Sequence, residues 1–484
     1  MKRLMILCVI LTAVALIAGP AFAEVQNVKV SGDIDSKMIH RSDYDFLSDD
    51  TGSATSVKDN DTWFMATTRI GIDADLTDNV STTVRLINER DWTMDASNQT
   101  EIDLDLAYVT LKECFYSPLT VTIGKQNLLY GNGLVVGDPD TNDAEPVARI
   151  VANDLSSRKS FDAIKAVLDY SPVVVDIVFA KINANTMTVA ATGGQADPRD
   201  DIDLWGINAA YDFDNEYNAV IEGYIFQRRD RNQIVATNQL GNEDTCNVWG
   251  VNGSMEPISG LLLSGEVAMQ TGDYNNTAAS PDKAIDRDAW ALDVALAYDG
   301  LSDSVSFLPG LSLRTAYVYR SGQAGDGATT NVDFSTTTAE CNVWDPMYED
   351  QTHGIIANQL FNGINDGVDS NGRTICVGAS AEPIEDLTLS VDYYNFSLAE
   401  AWYSSNAAGQ TRTLNGSSYY VRDDKDLGYE IDVALDYAYT EDVTMSLASG
   451  WFKPGDAFDS KTNSSLPDNN DTATEVIASV AVAF

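Results

Sequence analysis

Two histidines, His40 and His353, are the only imidazoles in the 484-residue chain. A Ser-His-Asp relay needs a histidine held between a nucleophile and an orienting acid. Neither histidine has such neighbours, and both read as solvated histidines in loops or at strand ends. There is no His-Glu-x-x-His pair and no phosphate-binding glycine loop. The five cysteines stand apart, with no Cys-x-x-Cys, so metal clusters and covalent haem attachment are not indicated and no cofactor is expected. Asp-rich stretches such as Asp43, Asp45, Asp49 and Asp50, or Asp138, Asp140, Asp143 and Glu145, lack the fixed ligand spacing of a Ca²⁺ loop and read as solvated charge. What remains is a set of bases and acids placed on one face of alternating segments: Arg69, Arg85, Lys165, Arg314 and Arg320, with Asp73, Asp75, Asp103, Asp105, Asp293, Asp392, Glu430, Asp432 and Asp436. On the wall of one water-filled lumen such groups set ion selectivity, and opposed signs create a transverse field that orients polar solutes. The plainer alternative is that they are only solvated wall residues.

Those charges need strands to position them. Tyr429, Ile431, Val433, Leu435, Tyr437 and Tyr439 alternate with Glu430, Asp432, Ala434, Asp436 and Ala438. A helix would scatter both sets, whereas a strand puts each on one face. Trp290, Leu292, Val294, Leu296 and Tyr298 repeat the pattern around Asp293. Many such runs reach about ten residues, the length that crosses a bilayer at a tilt. Aromatics near their ends, including Trp63, Trp92, Tyr298, Tyr439 and Trp451, suit interfacial girdles. Short polar turns alternate with long loops at 40–61, 131–159, 184–200, 323–370, 401–425 and 454–470. Short turns on the periplasmic side and long loops outside are the pattern of an outer-membrane barrel.

About eighteen strands are predicted: 25–39, 62–76, 80–91, 101–113, 119–129, 160–170, 173–183, 201–213, 217–230, 244–255, 261–274, 286–299, 311–322, 372–382, 387–399, 427–439, 443–453 and 472–484. The expected fold is an all-β, antiparallel, up-and-down transmembrane barrel with both termini in the periplasm. The loops 131–159 and 323–370 are candidates to close over the pore.

The compartment agrees. Lys2 and Arg3, the apolar run Leu4–Ala18, the Gly19-Pro20 break and Ala21-Phe22-Ala23 form a secretory signal peptide, expected to be cleaved after Ala23. Residues 24–484 then form one barrel domain. An oxidising exterior would permit a disulfide, with Cys341–Cys376 one conceivable pairing. The net charge of −43 disfavours a nucleic-acid partner. Disorder, the usual consequence of such charge, does not fit 21 Tyr, 15 Phe and 8 Trp in patterned segments. The final strand ends on Phe484, which looks like the signal read by the barrel-assembly machinery.

Several segments resemble the alginate-export-type outer-membrane porins. Ala107-Tyr108-Val109-Thr110-Leu111-Lys112 is similar to the family's Ala-Tyr strand. Gly124-Lys125-Gln126 through Tyr130-Gly131-Asn132-Gly133 is similar to its Gly-Arg-Gln…Tyr-Gly-x-Gly segment. Leu427-Gly428-Tyr429-Glu430-Ile431-Asp432 and Pro454-Gly455-Asp456 resemble segments near its C-terminus. The resemblance implies an eighteen-stranded monomeric barrel, and with the alternation it points Lys125 inward. The chain departs from the family at Lys125, where the family has Arg, and at Asp105, where it often has a base. The many inward acids argue against alginate itself as cargo. The expectation is a passive channel for small polar or charged solutes, saccharides among the candidates, embedded in outer-membrane lipid. Two alternatives are a sheath around a separate multihaem cytochrome, which this haem-free chain could only surround, and a hydrolase, which lacks its histidine.

Overall fold

A computed structural model describes residues 27–46, 60–92, 102–139, 155–184, 201–231, 243–275, 284–301, 308–323, 340–402, 424–458 and 470–484, with a few shorter pieces between them. The signal-peptide segment, parts of the long loops, and Asp49, Asp50, Asp140, Asp143 and Glu145 lie outside the described residues.

Eighteen strands form the wall: β1 Asn27–Ser42, β2 Asp61–Thr77, β3 Val80–Asp91, β4 Asp103–Leu111, β5 Leu119–Asn127, β6 Ser160–Tyr170, β7 Val173–Ala184, β8 Asp201–Asp212, β9 Val220–Asp230, β10 Asp244–Ile258, β11 Leu261–Asn275, β12 Ala284–Tyr298, β13 Ser312–Arg320, β14 Gly372–Ile384, β15 Leu387–Leu398, β16 Asp426–Thr440, β17 Val443–Pro454 and β18 Ala473–Ala483. Each pairs antiparallel with the next, and β1 pairs with both β2 and β18, which closes the barrel. The seam is completed by Phe484, whose amide donates to the Gly32 carbonyl at 2.9 Å while the Gly32 amide donates back at 2.8 Å. All eighteen predicted segments are strands. Closure matters because an open edge in lipid would leave a row of backbone groups without partners.

The alternation decides which face meets lipid. Tyr429 and Ile431 are exposed on the outside of β16, whereas Glu430 and Asp432, which alternate with them, are buried. Val267 and Met269 on β11, and Trp290 and Val294 on β12, point out; Glu266, Gln270 and Asp293 point in. No helix among the described residues is long and apolar enough to cross a membrane. Among the described residues an α-helical turn, Ala357–Leu360, lies in the loop between β13 and β14.

All four described cysteines are free thiols, which corrects the conceivable Cys341–Cys376 bridge. Cys341 lies alongside Arg287 on β12, while Cys376 stands in mid-β14 opposite Ala316 and Tyr394.

Candidate functional site

Two loops fold into the barrel and decide what its inward charges do. The first follows β5. Leu128, Leu134, Val135 and Val136 are buried against Phe161, Val178, Leu204, Phe226, Val248 and Ala268, all on the lumen face of β6–β11. The loop-side ends of these strands are therefore apolar on the lumen face, which draws the loop inward. Its tip is held by wall carboxylates. Tyr130 donates its hydroxyl to Asp176 at 3.2 Å, Gly131 its amide to Glu222 at 3.1 Å, and Asn132 its amide to Glu266 at 2.5 Å. The glycine at 131 has a physical reason: φ is +58°, and a Cβ there would lie 2.5 Å from a Glu266 oxygen.

The second loop, 340–371, attaches to the wall at several points. Asp345 accepts from Arg228 at 2.9 and 2.6 Å and meets Arg287 at 3.1 Å, and both guanidiniums also grip Asp244. Burial alone would raise the Asp345 carboxyl, yet Arg228 and Arg287 hold it down to about 2. Gln270 brackets the same residue, donating to its carbonyl at 2.6 Å and accepting from its amide at 2.9 Å. Beyond it the two loops join: the Tyr348 amide donates to Val135, the Gly137 amide to Tyr348, and the Asp350 amide to Gly133. Gln351 then donates to Asp293 at 2.8 Å, and Arg320 donates to Gln351 at 2.5 Å and to the Val368 carbonyl at 2.7 Å. On the far wall the Ile356 and Ala357 amides donate to Glu430 at 2.7 and 2.8 Å, and the Ile355 amide to Asp432 at 3.1 Å. Ile356, Leu360 and Phe361 pack with Phe396, Phe452 and Phe458. These anchors matter because a loop inside a barrel must satisfy its amides without bulk water.

The predicted wall residues thus fall into three groups. Asp293, Arg320 and Asp432 face inward, but they hold loops. A second group pairs with other wall residues rather than with a loop, and its arginines keep part of their surface exposed. Arg69 pairs with Asp33 at 2.9 Å, their side chains 28% and 32% exposed. Arg85, 28% exposed, pairs with a fully buried Asp105 at 2.5 Å. Arg314, 41% exposed, pairs with Asp392. Asp436 accepts from Ser446 at 2.5 Å and is exposed, and Lys165 faces Thr122 and Val178 across its neighbours. The third group is Lys125 alone, a correction. The register aligns it with Asp162 and places it on the face of Ile123 and Ile164, so it points outward. Gly124, at φ +125°, sits where the strand alternates poorly. His353 is a second correction: it lies in the inward loop, 3.4 Å from Arg320, and burial and that charge push its imidazole down to about 3. His40 sits on β1 with Nδ1 2.7 Å from the Thr62 hydroxyl, at an exposed position.

The anchors Asp176, Glu222, Glu266, Arg228, Asp244, Arg287, Asp345 and Gln351 do not stand out from the alternation. The usable signal was the inward run of apolar residues on β6–β11, which breaks the apolar-out, polar-in rule.

A closed eighteen-strand barrel with a polar lumen narrowed by its own loops defines an integral outer-membrane protein of the porin type. The alginate-export family matches residues 40–470, and the chain belongs to that family. No curated protein matches the sequence. Among solved structures it is similar to OccK2 of Pseudomonas aeruginosa in complex with glucuronate, at a TM-score of 0.51 and 11% identity, over 95% of this chain and 99% of that one. It is also similar to OccK9 of the same organism, at 0.51 and 12%, over 95% and 99%. At that identity the likeness is one of fold.

Proposed function

We propose that the barrel is a passive channel for small polar or charged solutes, short anionic saccharides among them, selected by width and charge without energy coupling. The observation that carries this reading is the division of the inward charges. Many wall acids are occupied in holding loop amides or loop-binding arginines, while Arg69, Arg85 and Arg314 keep part of their surface exposed. The acid excess that argued against an anionic cargo is thereby reduced on the solute-facing wall. The family and the glucuronate complex of OccK2 support the same solute class. We further propose that the chain is exported by its signal peptide, assembled through its last strand and Phe484, and works as a monomer.

The cytochrome-sheath reading finds no support. Segments 128–139 and 340–371 occupy lumen that a second protein would need. The family and fold point to a channel rather than a hydrolase. Liposome swelling tests the proposal: proteoliposomes should take up monosaccharides and uronates and exclude long oligosaccharides. Equal impermeability to all of them would overturn it.

A further inference from the structure

The outward position of Lys125 belongs to a larger pattern. The register aligns Lys125 with Asp162, Asp162 with Lys181, Lys181 with Asp203, and Asp203 with Arg229, a row that changes sign at every step across β5–β9. Two residues toward the periplasm the aligned row is Ile123, Ile164, Phe179, Trp205 and Gln227. Its four apolar members are exposed on the membrane side. The charged row therefore faces the membrane directly above the apolar band. A charge on the lipid face is costly at mid-bilayer and nearly free of cost near the interface, so the row belongs at headgroup level.

Most of the row is internally neutralised. Lys181 bonds Asp201 at 2.7 Å and also Asp203, and Arg229 bonds Glu243 at 2.5 Å. The first two members are looser. The Lys125 ammonium is 3.9 Å from Asp162, beyond hydrogen-bond reach, and the Asp162 side chain is 68% exposed. Beside them the wall is notched. Pairing of β4 with β5 stops at Ala107 and Lys125, while β4 continues along β3 to Asp103. Above that point lies a cavity of about 330 Å³, lined from outside by Lys125, Asp162 and Lys181 and from inside by Asp105 and Arg158.

We infer that this notch and its charge row bind the phosphorylated headgroup of an outer-leaflet glycolipid. Lys125 takes a phosphate oxygen, and Asp162 shares a divalent cation with a neighbouring phosphate. A row of alternating sign suits a headgroup that carries both phosphates and their bound cations. It suits a purely anionic phospholipid less well, because the exposed Asp162 would repel it.

The test is native mass spectrometry of the purified, delipidated barrel incubated with lipid A and Mg²⁺, or with phosphatidylglycerol. Wild type should retain lipid A in preference to phosphatidylglycerol. EDTA, and separately the double variant Lys125→Gln/Asp162→Asn, should lower retention about tenfold. Arg373→Gln, on the outer face of β14, should not. Folding of each variant is checked by heat-modifiable migration. Undiminished lipid A retention by the folded double variant overturns the inference. So does equal retention of both lipids, or a lipid-free dimer in which a second copy covers the notch.

Discussion

Replacing Asp345 with asparagine removes the charge through which the inward loop is held to β9 and β12. Two buried arginines converge on that carboxylate, and its depression from the ordinary 3.8 to about 2 corresponds to about 2 kcal/mol in favour of the docked loop. Because the carboxyl is depressed in the folded protein, this contribution is fully present above pH 3.8 and is lost as pH falls through about 2. The substitution goes further than protonation. It leaves Arg228 and Arg287 sharing Asp244 alone, and breaking a buried pair typically costs about 3–5 kcal/mol. Taking about 3 kcal/mol, the docked population of that loop segment falls by about a hundredfold relative to the released one. The wall strands keep their pairing, so the barrel stays closed. Single-channel recording at pH 7 should then show Asp345→Asn channels with larger current steps and rapid flicker as the loop leaves the lumen. Wild type should hold a steady level until the pH drops to about 3 or below. Variant channels with wild-type step size and noise at pH 7 would refute the view that this cluster holds the constriction.

Three further outcomes follow from the same geometry. Gly131→Ala places a Cβ against Glu266 at a left-handed φ, at a cost of about 1–2 kcal/mol, and should speed amide hydrogen exchange in residues 130–137 without changing exchange in β10–β12. Arg85→Gln removes a lumen-exposed base and leaves the buried Asp105 unpaired, so the reversal potential under a salt gradient should move toward cation preference; a shift toward anions would contradict the placement. Deleting Phe484 removes both hydrogen bonds to Gly32 at the seam, and the heat-modifiable fraction in cell envelopes should fall several-fold, whereas unchanged assembly would argue against a role for that terminus.

The strands were legible because lipid on one side and water on the other impose a period of two. Tyr429 to Tyr439 on β16 shows this over eleven residues. What those inward residues touch was not legible. Glu430 reads as a pore-wall acid, but it is buried under backbone amides supplied by a loop distant in sequence, and Glu266 accepts a loop amide in the same way. No periodicity encodes that pairing. Lys125 failed for a local reason: its strand carries Gly124 at positive φ and lacks the clean alternation that would have shown its face. The Tyr130-Gly131-Asn132-Gly133 segment resembles a family feature, and its physical reason lies in the fold: Glu222 and Glu266 accept from its Gly131 and Asn132 amides.

The central claim, a water-filled channel through the outer membrane, is tested most directly by inserting the purified protein into a planar lipid bilayer. Discrete, lasting current steps with measurable ion selectivity are predicted, and Arg69→Gln with Arg85→Gln should alter that selectivity. A correctly folded barrel that inserts yet carries no current at any voltage would contradict the account.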